Sequence, residues 1–139
     1  MKKRQKAFTL IELLMVIAVI GVLSSVILSA LNDARNSSID AKVQSEMDSL
    51  AKRAEIENSQ VGNYNIVCGT NGVATSSSIV KIINSINSLG SVTFICNSET
   101  TKYAAAATFD DGFWCVDSTG ARKKIPNALN TSPAEYVCP

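Results

Sequence analysis

Apolar residues follow two different patterns along the first half of this 139-residue chain. From Leu13 to Leu31 there is no charged residue, and almost every position is apolar or small. Further along, apolar residues recur every three or four positions, the spacing of one helix face. They are Ile39, Val43, Met47, Leu50 and Ala54. Because no Pro or Gly occurs between Val22 and Val61, the two patterns predict one continuous helix from about Phe8 to Asn58.

A second, shorter helix is predicted after a stretch of loop. Turn-forming residues from Gln60 to Asn65 end the first helix, and the Gly69-Thr70-Asn71-Gly72 cluster after Cys68 is expected to be loop. Ser76, Ser77 and Ser78 are candidate N-caps, and Gly90 ends the segment. One face of this helix is apolar, which favours a place in the core. Its residues are Ile79, Ile82, Ile83, Ile86 and Leu89.

The rest of the chain has the residue types of β-strands. Strands are predicted at 92–96, 103–109, 113–117 and 122–125, with turns at 97–100, 110–112 and 118–120. The lysine-rich fourth strand suits a sheet edge, and Pro126–Pro139 is expected to be irregular and tied down through Cys138. The predicted fold is therefore α+β: a long N-terminal helix packed on a small antiparallel meander.

The N-terminus combines a basic head with an apolar segment that contains one acid. Four cations lie within residues 2–6, and the 24 residues from Phe8 to Leu31 would span about 36 Å as a helix, enough to cross a bilayer. The positive-inside rule keeps the head in the cytoplasm and sends Arg35 and the rest outward. A carboxylate in hydrocarbon costs about 2.5–3.5 kcal/mol on insertion scales, so Glu12 is expected to have a function.

The residues around this acid carry a family resemblance. Ala7-Phe8-Thr9-Leu10-Ile11-Glu12 resembles the type III signal of type IV pilins and type II secretion pseudopilins. The resemblance implies that a prepilin peptidase cuts between Ala7 and Phe8 and methylates the new N-terminus at Phe8. It also implies a pilin-like fold, and Gly21 stands where many family members have a helix glycine. Ala7 stands where the family usually has Gly, and Ser29 where many pilins have Pro.

The resemblance and the residue patterns together predict a three-part organisation of the chain. Residues 1–7 are a cytoplasmic leader that the peptidase removes, and 8–31 are the transmembrane and assembly half of the helix. Residues 32–139 form an extracytoplasmic globular domain. Within it, the helix continues to about 58, a loop and the short helix occupy 59–90, and the β-meander and C-terminal loop occupy 91–139.

The four cysteines are expected to form disulfides. They are Cys68, Cys96, Cys115 and Cys138, an even number that lies wholly on the side predicted to be exported. Three connectivities are open. Pairing in sequence order, Cys68 with Cys96 and Cys115 with Cys138, is favoured because it closes loops within local units. A four-cysteine zinc site is the weaker alternative, because structural zinc sites favour closely spaced ligand pairs.

Composition argues against catalysis and against nucleic-acid binding. The chain has no histidine, so triads based on that residue are excluded, and no cofactor is expected. Removing the four leader cations leaves nine Lys and Arg against 12 acidic residues, a formal charge of −3. Asp110, Asp111 and Asp117 could ligate calcium, as in some pseudopilins, but they lack EF-hand spacing, and a hairpin turn is the favoured role for the first two.

The favoured function is that of a structural subunit, not an enzyme. After processing, the chain would wait in the cytoplasmic membrane and then join an extracellular or cell-surface filament, with Glu12 pairing with the N-terminal amine of a neighbouring Phe8. Its implied partners are further copies of itself, prepilin peptidase, an inner-membrane assembly platform and the membrane. One alternative is a minor pilin that binds DNA or a surface, with Arg122, Lys123 and Lys124 as its candidate contacts. The other is a single-pass anchored extracellular protein. Pilin and pseudopilin are not distinguished.

Overall fold

A computed structural model of the chain describes residues 8–139. The leader expected at residues 1–7, including Ala7, lies outside the described residues. By its internal contacts the chain divides into two compact units, Met1–Asn36 and Ser37–Pro139. Helix α1 runs from Leu10 to Val61 and so contributes residues to both. In the first unit, every side chain from Phe8 to Asn36 is exposed.

The second unit has the predicted α+β architecture. After α1 come α2 (Asn65–Cys68), α3 (Ser77–Asn87) and the strands β1 (Phe94–Ser98), β2 (Tyr103–Phe109), β3 (Gly112–Asp117) and β4 (Arg122–Ile125). The strands form one antiparallel sheet in the order β1-β2-β3-β4. A meander of this kind needs only short turns between consecutive strands, and each turn lies where the sequence predicted one or within two residues of it.

The apolar faces of the two longer helices form the core on one side of the sheet. From α1, Val43, Met47, Leu50 and Ala54 are fully buried, and Ile39 is partly buried against them. The α3 face packs into the same cluster through Ile79 and Ile86. The helical periodicity therefore predicted both buried faces correctly.

The opposite face of the sheet is buried as well. Along β2, Ala105 and Ala107 belong to the helix-side cluster, whereas Ala104 and Ala106 belong to a second cluster. That second cluster includes Leu129 and Cys138 of the C-terminal segment. Because β2 is covered on both sides, its apolar residues do not alternate with polar ones, which is why its sequence has little periodicity.

Each face of the sheet carries one disulfide. Cys68 of α2 is joined to Cys96 of β1 on the helix side, and Cys115 of β3 is joined to Cys138 on the other side. These are the pairs that the sequence favoured. The second disulfide ties the irregular C-terminal segment to the sheet, so that the segment acts as a covering layer.

Several local predictions were wrong. Residues 65–68 form the short helix α2 where a loop was expected, and Asn97 and Ser98 belong to β1 instead of the following turn. Ser76 stands at the N-cap of α3, but its hydroxyl makes no cap hydrogen bond. The hydroxyl donates instead to the carboxylate of Glu57 in α1, at 2.7 Å. That carboxylate is buried and is also paired with Arg53, and buried polar groups are normally fully hydrogen-bonded.

A buried carboxylate fastens the C-terminal segment to the end of β3. Asp117 is 2% exposed. Its Oδ2 accepts from the backbone N–H of Cys138 at 2.7 Å, and its Oδ1 accepts from the N–H and hydroxyl of Thr119 and the N–H of Ala121. Burial opposes ionisation, but these hydrogen bonds outweigh it and hold the pKa of Asp117 below its ordinary value.

We expect Asp117→Asn to lower the free energy of unfolding by about 1–3 kcal/mol, because an amide nitrogen would replace one acceptor oxygen and leave a buried N–H donor unpaired. Urea denaturation of the micelle-solubilised chain with both disulfides intact measures this loss. Asp111→Asn is the control, because the Asp111 carboxylate is exposed and its loss should change stability little.

Urea denaturation of the same variants across a range of pH gives a second test of the role of Asp117. Since the folded pKa is depressed, the stabilisation is complete above the unfolded pKa of about 4 and is lost as pH falls through the folded value. The difference between the native chain and Asp117→Asn should therefore shrink in acid. A difference that stays constant down to low pH would contradict this account of Asp117.

Candidate functional site

The candidate site at the start of α1 is organised by a reciprocal pair of side chains. Thr9 precedes the first helical residue, and its backbone N–H and hydroxyl both donate to Oε2 of Glu12, at 2.9 and 2.8 Å. In return, the backbone N–H of Glu12 points to Thr9 Oγ1 at 3.4 Å. This is the capping-box arrangement, which satisfies backbone donors that a helix start leaves without partners.

The capping box leaves half of the carboxylate free. Among residues 8–139, Oε2 of Glu12 has hydrogen-bond partners and Oε1 has none. A negative charge in the first turn is also favoured by the helix dipole. Thr9 therefore holds Glu12 against the helix start through Oε2, while Oε1 has no donor among the described residues.

The rest of the segment presents an uninterrupted apolar surface. Glu12 is the only charged side chain from Phe8 to Leu31, and the large apolar side chains of this stretch are all exposed. An 18-residue window of α1 has a mean hydropathy of 2.7 with none of it buried, so within the described residues this one helix is long and apolar enough to cross a membrane.

No contact among the described residues of a single chain requires a glycine at position 21. A Cβ added there would have no heavy atom within 4 Å apart from the neighbouring backbone of its own helix, so alanine would fit, and it would favour the helix by about 1 kcal/mol. Any need for a glycine at this position would have to come from another helix that packs closely against it.

The three cations proposed as a DNA contact do not form one surface. The register pairs Arg122 with Val116 and Lys124 with Trp114 on the helix side of the sheet, whereas Lys123 pairs with Cys115 on the other side. Lys124 is bound to Asp110 and Asp111, and this raises its pKa to about 12. Arg122 lies 3.7 Å from Asp48. Two of the three charges are thus matched by acids of the same chain.

The acidic residues considered as calcium ligands are bound to donors. Asp110 and Asp111 hold the Lys124 ammonium, and Asp117 accepts from backbone N–H groups and a hydroxyl. Asp110 also uses its backbone N–H to bond Asp40 of α1, and its φ of 50° fits the two-residue hairpin loop between β2 and β3. Across residues 8–139, no group of three His, Cys, Asp or Glu side chains is placed to hold a metal ion.

One comparison with known proteins gives a result. Residues 2–28 match the family model described as the prokaryotic N-terminal methylation motif. The chain carries the signal motif of type IV pilins and pseudopilins. The methylation motif spans the basic head, Phe8, the Thr9–Glu12 capping box and most of the apolar segment. No curated protein and no solved structure matches the chain.

The methylation motif indicates a pilin-like or pseudopilin precursor, and with it a structural protein family. The single apolar helix fits a membrane-anchored precursor. The resemblance read from Ala7 to Glu12 is therefore confirmed at the level of the motif. Of the two residues at the expected cut, Phe8 is exposed and Ala7 lies outside the described residues.

The sequence reasoning missed the role of Thr9. The signal was present, since Thr9 and Glu12 have the Thr-x-x-Glu spacing that defines a capping box. The structure adds Thr9 to the site as the residue that positions Glu12.

We expect Thr9→Ala to loosen the first turn of α1, because it removes the hydroxyl that accepts from the Glu12 N–H and donates to the Glu12 carboxylate, and leaves only the backbone N–H of residue 9 as a partner. Amide hydrogen exchange of the micelle-bound chain should be several-fold faster at Glu12 and Leu13 than in the native protein. Thr9→Ser keeps the hydroxyl and serves as the control. Equal protection in the alanine and serine variants would rule out the capping role.

Proposed function

We propose that the chain is a structural subunit of a type IV pilus or a type II secretion pseudopilus. Prepilin peptidase removes residues 1–7 and methylates Phe8, and the mature chain polymerises into a helical filament through α1. The observation that carries this proposal is the methylation motif at residues 2–28, which continues directly into an exposed apolar helix.

The exposed apolar surface supports the membrane and the filament as successive environments. Side chains from Leu13 to Leu31 cannot remain in water without a covering, because a patch of this size would aggregate. In the precursor, lipid covers these side chains. A helix can lie in lipid because its backbone hydrogen bonds are made within the helix and need no water. In the filament the same surface is buried by the helices of neighbouring subunits, and the close approach that Gly21 permits becomes useful there.

Glu12 sets the register of that assembly. Its Oε2 is held by Thr9, and its Oε1 accepts a hydrogen bond from the N-terminal amine of Phe8 in an adjacent subunit. In the apolar interior of the filament this ion pair is strong, and an unpaired carboxylate is costly. A subunit packed in the wrong register would therefore bury the charge without a partner.

The second unit is suited to the outer side of the membrane. Its two disulfides are typical of an oxidising compartment. Without the leader the chain has a formal charge of −3, and Arg122 and Lys124 are matched by Asp48, Asp110 and Asp111, which weighs against DNA binding as its main role. The remaining partners in this proposal are the inner-membrane assembly platform and further copies of the chain.

Two substitutions of Glu12 separate its charge from its capping role. Glu12→Gln keeps a side chain that can complete the capping box, but it cannot form an ion pair. Glu12→Ala removes both. We expect both variants to enter the membrane and be processed normally, and both to be depleted from sheared filaments in a quantitative immunoblot.

Thr9→Ser, which keeps the hydroxyl, should be incorporated at nearly the native level and controls for disturbance of this segment. Normal incorporation of Glu12→Gln would show that capping alone is sufficient and would refute the ion-pair mechanism. Failure of all variants to reach the membrane would instead place the role of Glu12 in insertion and would equally contradict the proposal.

A further inference from the structure

A polar cleft lies in the second unit, away from the residues that the proposed assembly uses. Three segments meet there: the loop after α2, the turn between β1 and β2, and the C-terminal segment near Tyr136. The cleft has a volume of about 560 Å³, within the usual range for small-molecule sites. It adjoins the start of α2, because the N–H of Tyr64, the residue before that helix, donates to the carbonyl of Thr100 in the cleft wall at 3.1 Å.

Buried polar side chains hold one wall of the polar cleft in place. Asn65 is 8% exposed, and its Oδ1 accepts from the hydroxyl of Thr70 at 3.2 Å and from the amide of Asn71 at 2.9 Å. Ser98 is 3% exposed, and its hydroxyl lies 2.9 Å from that of Thr70. This network fixes the lining residues before any ligand arrives, which is what a binding site needs.

The Cys68–Cys96 disulfide stabilises the same wall of the cleft. Cys68 lies two residues before Thr70, and its partner Cys96 lies two residues before Ser98. The covalent bond therefore keeps the loop after α2 and the end of β1 together, at the point where their hydroxyl groups meet. The positions of Thr70 and Ser98 depend on covalent structure as well as on packing.

Two other lining residues, Glu99 and Tyr136, supply unused hydrogen-bonding groups and an aromatic ring. Glu99 accepts from the hydroxyl of Thr101 at 3.2 Å through Oε1, and its Oε2 has no partner among residues 8–139. Tyr136 is half-buried, and its phenolic group likewise has no hydrogen bond within that range. The cleft thus presents a carboxylate oxygen, several hydroxyl groups, a carboxamide and an aromatic ring.

These groups fit a neutral, polyhydroxylated ligand. Among residues 8–139, no Lys or Arg side chain lines the cleft, and Glu99 would repel an anion. Carboxylate, amide and hydroxyl groups accept from and donate to sugar hydroxyls, and a tyrosine ring offers an apolar face for the C–H groups of a pyranose while its hydroxyl remains hydrogen-bonded. We propose that the polar cleft binds a neutral carbohydrate.

The test uses the full chain in phosphocholine micelles, because a glycoside detergent would compete for the cleft. The chain is applied to an array of neutral and acidic glycans, and the strongest neutral glycan is then titrated by calorimetry. Glu99→Gln and Tyr136→Ala should each weaken binding by about tenfold or more. Asp111→Asn changes an exposed carboxylate on a different turn and should bind like the native chain.

Thermal unfolding of each variant separates loss of binding from loss of folding, and Tyr136→Phe, which keeps the ring, should bind more tightly than Tyr136→Ala. The proposal is overturned if no neutral glycan is retained, if only acidic glycans are retained, or if Glu99→Gln and Tyr136→Ala bind as the native chain does. None of these results depends on filament formation, so the carbohydrate proposal and the proposed structural function are tested independently.

Discussion

The central constraint on this protein is an apolar helix surface that the chain itself does not cover. From Leu13 to Leu31 no side chain is charged, and the large apolar ones are all exposed. The hydrophobic effect requires that this surface be removed from water, and the only sources of cover are lipid and other protein chains. In the proposed function, processing, anchoring and assembly are the successive ways in which that requirement is met.

A single carboxylate gives this otherwise uniform apolar surface one preferred packing position. An apolar helix can slide or rotate against its neighbours at little cost, whereas a buried charge must find a partner at one position. Thr9 keeps Glu12 folded back on the helix start, and Oε1 has no partner among residues 8–139. In our account this arrangement allows the same residue to be tolerated in the membrane and then to select the packing register in the filament.

The globular unit is stabilised from both faces of its sheet. The helices cover one face and the C-terminal segment covers the other, with one disulfide on each side. The buried carboxylate of Asp117 reinforces the second face through the N–H of Cys138. Since neither face of β2 is available for outside contacts, surface chemistry is left to the edges and turns, where the polar cleft lies.

Much of this architecture could be predicted from the sequence, because it depends on local periodicity. The buried face of α1 from Ile39 to Ala54, the bounds of β2 and the lysine-rich β4 all follow from side-chain spacing and turn signals. At the candidate site, the basic head, Phe8 and Glu12 gave the family motif, since that signal is contained in a few consecutive residues.

The parts that sequence reasoning missed depend on contacts between distant residues. The hydroxyl of Ser76 bonds to Glu57, 19 residues away, so a local capping rule gave the wrong partner. The alanines of β2 have little periodicity because a C-terminal segment covers their second face. Thr9 is the exception, because its spacing to Glu12 was visible in the sequence.

The most direct test of the central claim is the mass of the N-terminal peptide from the mature, membrane-extracted protein. Our account predicts a peptide that begins at Phe8 and carries one additional methyl group, because the apolar helix must be kept and only the basic head removed. A secretory signal peptidase would instead cut after the helix, for which Ser24-Ser25 and Ser29-Ala30 offer small-residue sites. A mature N-terminus after Ser25 or Ala30 would show that the helix is discarded as an ordinary secretion signal. That result would contradict both the membrane anchor and the filament.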